Sequence, residues 1–322
     1  VFREIPTSEL IARLDRRASD GLVFWDQKPR LSVAGVQDKL PVLILPDGKI
    51  GFGEGKLASN TILKFENPAS TAKHLVLNEY LSMSLAQAVG VSVAKVSWRR
   101  FGSHPCLVVT RFDRQAKKDV VRRLHVIDGC QALDLPLGHK YERNLGSARD
   151  VAHIRDGVSL EKLLTVTELC RVPAREVLNL IDWVLVNLCL GNADAHGKNI
   201  SYFVNRAGLA TAPFYDLVNV TLYPDFEQGL AMAIDDEFEL DGVGAFQLAH
   251  FCDKLRLSRT LVSQRLERMC ARFLSELPRH ELPSDLTSEE TGFAQSYRQN
   301  IEVRVQRLSV AARDLLDVQR VL

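Results

Sequence analysis

The chain has 322 residues, of which 46% are hydrophobic and 25% charged, which is the composition of an ordinary globular protein with one large domain or two lobes. Its net charge of +1 gives no bulk field to recruit nucleic acid or an anionic membrane, although a local basic groove remains compatible with it. No apolar run reaches the roughly eighteen residues that a membrane helix needs, and the charged start "VFREIPTSELIARLDRRASDG" is unlike a signal peptide.

From the N-terminus, short β-rich runs alternate with turn signals. "RLSVAG" leads to "KLPVLILPDGKIGF", in which Pro46-Asp47-Gly48 predicts a hairpin turn. "NTILKF" is a further short strand. The stretch "PASTAKHLVLNEYLSMSLAQAVG" has helical apolar spacing, with Ser and Thr before it and Gly90 just past its end. "VSVAKVSWRRFG" and "CLVVTRFDR" complete a small antiparallel sheet. The expected fold class is α+β: a β-rich lobe with one long helix over 1–114, then a mostly helical lobe over 115–322.

In the second lobe, Pro173 suits a first helical turn, and Val177, Leu180, Ile181, Val184, Leu185 and Leu188 share one helical face. Residues 258–276 and 288–321 read as amphipathic helices, and "DDEFELDGVG" as a mobile loop. The six cysteines, at 106, 130, 170, 189, 252 and 270, form no C-x-x-C and mostly sit in apolar patterns. They are expected as buried free thiols in a reducing, cytoplasmic setting rather than as disulfides or zinc ligands.

The polar interruption "GNADAHGKN" follows the buried helix and precedes the strand "NISYFV", the turn "NRAG" and a second strand, "LATAPFYD". This helix–loop–hairpin is predicted to bring Asn199 and Asp216 together near Asp194. Phosphoryl transfer needs such a set: one carboxylate to take the hydroxyl proton, a second carboxylate and an amide oxygen to hold magnesium. Asp194 precedes Asn199 by five positions, the spacing found in protein kinases. Upstream, Lys64 interrupts the β-run "NTILKF" as the phosphate-binding lysine of kinases does, and Glu79 in the following helix is placed to pair with it. The competing reading makes Lys64 an edge-strand charge and Glu79 a solvated one. "LSVAGVQDKL" offers a small-residue turn whose backbone N–H groups can cradle a phosphate.

In order, "RLSVAGVQDKL", "TILKF", "LNEYL", "VTRFDR", "CQALDLPLGHKYE", "GNADAHGKN" and "APFYDLVNV" resemble the HipA family of bacterial serine/threonine kinases, the toxins of two-gene toxin–antitoxin systems. The resemblance runs from about Arg30 to the C-terminus. It implies a two-lobed protein-kinase-like fold, an ATP- and Mg2+-dependent protein kinase, and Asp194 as catalytic base with Asn199 and Asp216 as metal ligands. It makes Lys64 the phosphate-binding lysine, oriented by Glu79, and sets Ala34, Gly35, Val36, Gln37, Asp38 and Lys39 over the nucleotide phosphates. Thr110, Arg111 and Phe112 become the adenine-holding hinge, with Asp113 near the ribose. His196, Lys198 and Tyr215 match positions that line the nucleotide site, although His196 also reads as a loop-folding residue. Ser32 matches an autophosphorylated serine, whose phosphate would oppose ATP binding by adding negative charge beside the phosphate loop.

The implied substrate is a translation component such as an aminoacyl-tRNA synthetase. The implied partner is a small helix-turn-helix antitoxin, with DNA contacted through that partner. Longer family members carry a small β-domain ahead of the phosphate loop, where this chain has about thirty residues. The expectation is either a trimmed chain or a short form whose missing lobe a separate protein supplies. Thr110 stands where the family often has an acidic residue. The alternatives are a non-catalytic regulator that binds ATP or the antitoxin, and a kinase of lipids or small molecules. Metal-dependent hydrolysis by Asp194 and His196 has no further ligand at the right spacing to support it.

Overall fold

The computed structural model describes residues 1–17, 22, 24–25, 28–29, 37–117 and 120–319. Two compact units emerge, one of residues 1–84, 94–125 and 283–293, the other of 85–93, 126–282 and 294–322. In the first unit, β1 (Phe2–Glu4), α1 (Thr7–Asp15), β2 (Phe24–Trp25), β3 (Lys28–Pro29), β4 (Asp38–Ile44), β5 (Ile50–Gly53) and β6 (Thr61–Phe65) come first. Then follow α2 (Leu75–Ala88), β7 (Val96–Phe101), β8 (His104–Thr110), β9 (Arg114–Lys117) and β10 (Val120–Arg123). The main sheet has the order β1-β5-β4-β6-β8-β7, and every pairing in it is antiparallel.

The strands alternate as the pleat demands. Leu40 and Val42, Leu63 and Phe65, and Cys106 and Val108 turn to a core shared with Leu10, Leu14 and Trp25. Trp25 is sealed there, with its ring 5.4 Å from that of Phe52. Period-2 alternation then sends Lys64 to the opposite face. The turn at Pro46-Asp47-Gly48 closes β4 on β5 as predicted: the Gly48 N–H donates to the Leu45 carbonyl at 2.9 Å, and Gly48 has φ +86°.

The first unit extends beyond the predicted boundary at Arg114, to His125. The reason is the hairpin β9–β10, missed in the sequence because its polar run "RQAKKDVVRR" lacks an alternating apolar face. The Val121 N–H donates to the Lys56 carbonyl and the Leu124 N–H to that of Asp113, holding the segment in this unit.

The second unit contains β11 (Val126–Asp128), α3 (Gly129–Ala132), α4 (Leu160–Val166), α5 (Pro173–Leu190), β12 (Ser201–Asn205), β13 (Gly208–Thr211), β14 (Gly229–Ile234) and β15 (Glu237–Glu239). Helices α6 (Ala245–Lys254), α7 (Arg259–Glu276) and α8 (Ser288–Asp314) follow, the last beginning in residues of the first unit. α5 starts with Pro173 at N1 and ends on Gly191 at φ +72°. From Trp183 to Leu190 it is buried on all sides, as befits a central helix. The predicted mobile loop "DDEFELDGVG" is ordered: β15 pairs with β14, turning at Asp235 with φ +61°. α8 ends at Asp314, seven residues short of the predicted helix end at 321. All six cysteines are buried and free.

Candidate active site

In the first unit, β6 is an inner strand between β4 and β8, so Lys64 is no edge-strand charge. Its side chain is 5% exposed, and Nζ donates to Glu79 Oε1 at 2.5 Å from α2, where the glutamate is 2% exposed. The two residues that spacing set together are in contact, and both are out of water. Lys39 lies directly across from Lys64 in the β4–β6 register, so the two cationic side chains leave the same face. Like charges directly opposite are unfavourable on a sheet.

Glu66, at the end of β6, accepts the Val76 N–H at 2.8 Å and so fastens the first turn of α2, the helix that carries Glu79. Burial pushes the Glu66 carboxyl up to about 7, against the backbone donors of Val76 and Leu75. At the C-terminal end of β8, Arg111 grips Asp113 through Nε and Nη2 at 2.9 and 2.8 Å, and Arg114 Nη1 reaches the same carboxylate at 2.5 Å. Burial would raise the Asp113 carboxyl, but the two guanidinium groups outweigh it and hold it below the usual range. Thr110 closes β8 with its N–H on the Lys95 carbonyl. Ser32, Ala34, Gly35 and Val36 lie outside the described residues. Asp38 pairs with Arg17 at 3.5 Å.

In the second unit, the loop 191–199 is held by the end of α5. The Asn192 N–H donates to the Asn187 carbonyl, and the buried Asn192 amide links Asn187 Oδ1 to the Asp216 carbonyl, at 2.7 and 3.4 Å. Asn199 Nδ2 donates to the Asp194 carbonyl at 3.0 Å. That commits the amide nitrogen and leaves Asn199 Oδ1 as the oxygen of the amide, a donor type that fits a hard cation. Asp216 stands at φ +54°, a left-handed conformation that costs a non-glycine residue roughly 1 kcal/mol. It sits beyond β13 rather than at a strand end: β13 stops at Thr211. Tyr215 nonetheless returns to the loop, its buried hydroxyl donating to the Lys198 carbonyl at 2.5 Å and lying 2.6 Å from Ser201 Oγ. The phenol staples the two ends of the hairpin.

Lys198 makes an ion pair with Asp128 at 2.6 Å, and Asp128 also caps α3 through the Gln131 N–H. His196 Nε2 faces Lys140 Nζ at 3.2 Å. Since an ammonium only donates, Nε2 accepts and the ring proton sits on Nδ1, a buried atom with no hydrogen-bond partner among the described residues. Burial lowers the His196 pKa, and Lys140 adds to the effect against the charge of Asp194. His196 thus ties the loop to Lys140 through one nitrogen and keeps a donor without a partner among the described residues at the other.

Tyr141, in "CQALDLPLGHKYE", has no local spacing that ties it to the site. Its hydroxyl donates to Asp194 Oδ1 at 2.8 Å, and no described residue hydrogen-bonds Asp194 Oδ2. Among the described residues, no group of three His, Cys, Asp or Glu side chains is placed to hold a metal ion. A magnesium ion that keeps several waters and binds substrate phosphates needs fewer protein ligands than such a cage.

A buried lysine–glutamate pair on a sheet and its helix, with an aspartate–asparagine loop at the end of a buried helix, is the arrangement of a protein-kinase-like phosphotransferase. The profile described as "HipA-like C-terminal domain" matches residues 31–277. The chain is 42% identical to the serine/threonine-protein kinase toxin HipA of Shewanella oneidensis, over 99% of its own length and 73% of that protein. It is 34% identical to the putative kinase Y4mE of Sinorhizobium fredii, over 81% of this chain and 59% of the relative. Among solved structures it matches HipA in the Shewanella oneidensis complex of HipA, HipB and operator DNA with TM-score 0.89 and 41% identity, covering 99% of this chain and 75% of that one. The Helicobacter pylori proinflammatory kinase CtkA shares the fold, with TM-score 0.56 at 12% identity over 91% of this chain and 97% of that one. The chain belongs to the HipA family, and it is a serine/threonine-protein kinase toxin.

Proposed function

We propose that the kinase uses ATP and Mg2+, with Asp194 as the base that accepts the proton of a serine or threonine hydroxyl. The observation that carries this reading is the loop 194–199. Asp194 keeps one carboxylate oxygen without a partner among the described residues, and the Asn199 amide spends its nitrogen on the Asp194 carbonyl. Asn199 and Asp216 would hold the cation, which when bound neutralises charge on the phosphates being transferred. Lys64 holds the phosphates, with Glu79 fixing the ammonium and Lys39 beside it on the sheet. Ala34, Gly35, Val36 and Gln37 would cover the phosphates, with Asp38 and Lys39 opening β4 rather than lying in the predicted loop, and Ser32 would be the autophosphorylation site. Thr110, Arg111, Phe112 and Asp113 form the adenine side of the site, and His196 and Lys198 from the catalytic loop, with Tyr215 from beyond β13, line the nucleotide.

The protein substrate is proposed to be an aminoacyl-tRNA synthetase or another translation component. The proposed partner is a small helix-turn-helix antitoxin, as HipB accompanies HipA in the Shewanella complex, so that operator DNA is reached chiefly through the antitoxin. The proposed setting is the cytoplasm. Among the described residues no helix is long and apolar enough to cross a membrane. The test is expression with and without the neighbouring gene, followed by mapping of new phosphosites across the proteome. Growth arrest with phosphate on a synthetase supports the reading. Phosphate only on a metabolite would give the substrate to a different class, and no transfer with magnesium present would make the chain a non-catalytic regulator.

A further inference from the structure

Tyr141 and Asp194 are 53 positions apart in the chain, and the backbone clamps each of them against the other. On one side of Tyr141, the Lys140 carbonyl accepts the Gly197 N–H at 2.9 Å, three residues beyond Asp194. On its other side, the Glu142 N–H donates to the Ala231 carbonyl at 2.9 Å, while the Ala231 N–H donates to the Ala193 carbonyl at 2.8 Å, one residue before Asp194. A single residue of β14 is thus bonded to the neighbours of both side chains. Glu142 is locked in turn: Oε2 accepts the Ala233 N–H at 2.8 Å, and Oε1 accepts Arg155 Nε at 2.6 Å. The Tyr141 ring has Lys140 Nζ 4.7 Å from its centre and the His196 ring nearly perpendicular to it, 5.1 Å between ring centres. Gly157 lets the chain pass behind it, since a Cβ there would come within 1.7 Å of the Tyr141 carbonyl oxygen.

So tightly built a support leaves the hydroxyl one direction, toward Asp194 Oδ1 at 2.8 Å. Burial pushes the Tyr141 phenol pKa up, as does the neighbouring Asp194 charge, so at neutral pH the hydroxyl keeps its proton and acts as donor. We infer that Tyr141 is a positioning residue for phosphate transfer: by holding one carboxylate oxygen of Asp194 it fixes the rotamer that presents the other to the acceptor hydroxyl. This rests on the kinase reading above. Acting only through Asp194, Tyr141 should affect turnover and leave ATP binding alone.

The test is Tyr141→Phe in the full chain, assayed with γ-labelled ATP, Mg2+ and dephosphorylated casein as acceptor, beside the wild type and Asp194→Asn. The expected result is a kcat about tenfold lower, with KM for ATP within twofold and the thermal midpoint unchanged. Wild-type kcat overturns the inference. Faster turnover also overturns it, by showing that the hydroxyl obstructs the acceptor. So does an equal loss of kcat and ATP affinity with a lowered midpoint, which would make the residue merely structural. A second readout needs no activity: the ring carbon bearing the hydroxyl of Tyr141, followed by 13C NMR and identified by its absence in Tyr141→Phe, should shift in Asp194→Ala. An unmoved signal removes the contact and the inference with it. If the wild type transfers nothing while that signal moves, the kinase reading is what fails, taking the positioning role with it but leaving the contact.

Discussion

Lys64 and Lys198 each meet a carboxylate at almost the same distance, 2.5 Å to Glu79 and 2.6 Å to Asp128, but in different surroundings. Lys64 and Glu79 are 5% and 2% exposed, inside the first unit, whereas Lys198 is 36% exposed and its partner 14%, on the rim of the catalytic loop. The first pair cannot be left half-made without stranding a charge away from water, and the second can be re-solvated. Distance alone does not rank ion pairs. Burial decides whether a lysine is committed to a carboxylate or only rests against it.

The largest effect that would break this picture lies at neither lysine. Asp194→Asn should lower phosphate transfer by about 100-fold or more, with an unchanged thermal midpoint because the exposed side chain still accepts from Tyr141. Residual transfer near the wild-type rate would remove the base assignment. Next, Lys64→Ala should cost about 3–5 kcal/mol in denaturant unfolding, and the double variant Lys64→Ala with Glu79→Ala should cost less than the single one. A double variant worse than the single would show that packing, not charge, holds α2 to the sheet.

The two units should also respond to pH with opposite signs. Glu66, in the first unit, has its pKa raised to about 7, chiefly by burial, so the native state binds more protons than the unfolded one between about 4.5 and 7. Its contribution to stability is full below 4.5 and is lost as pH rises through 7. His280, in the second unit, is pushed down to about 4 by burial and by Arg298, so there the unfolded state binds more protons. That contribution is full above 6.5 and is lost as pH falls through 4. Glu66→Gln should flatten the alkaline decline and His280→Gln the acid one, each read as unfolding free energy against pH. The same slopes in variant and wild type would sink the assignment. Smallest of all, Lys198→Ala should cost no more than about 1 kcal/mol, since Asp128 keeps its capping bond and regains water.

What could be read from the sequence was local. The turn at Gly48, the helix opened by Pro173 and the lysine in "NTILKF" all follow from rules that span a few residues, and each stands where expected. The five-residue step from Asp194 to Asn199 is also local, and one hydrogen bond from the Asn199 amide to the Asp194 carbonyl closes it. What escaped was non-local. Tyr141 finds Asp194 only after β14, some ninety residues further along, has bonded to both neighbourhoods. "DDEFELDGVG" seemed a loop because its acidic residues outweigh Phe238 and Leu240, yet β14 supplies the pairing partner that its composition hides. The β9–β10 hairpin is mostly polar, buries only Val121 among its described residues, and takes its place from bonds to Lys56 and Asp113.

The junction at Ala231 has a consequence for mutation. Both of its bonds run through the peptide backbone, so the separation between Tyr141 and Asp194 is not encoded by any side chain at position 231. Ala231 is itself buried, so a larger side chain there would strain the core, but only proline, lacking the N–H, would cut one link outright. The spacing is carried by the backbone of β14 rather than by a side chain.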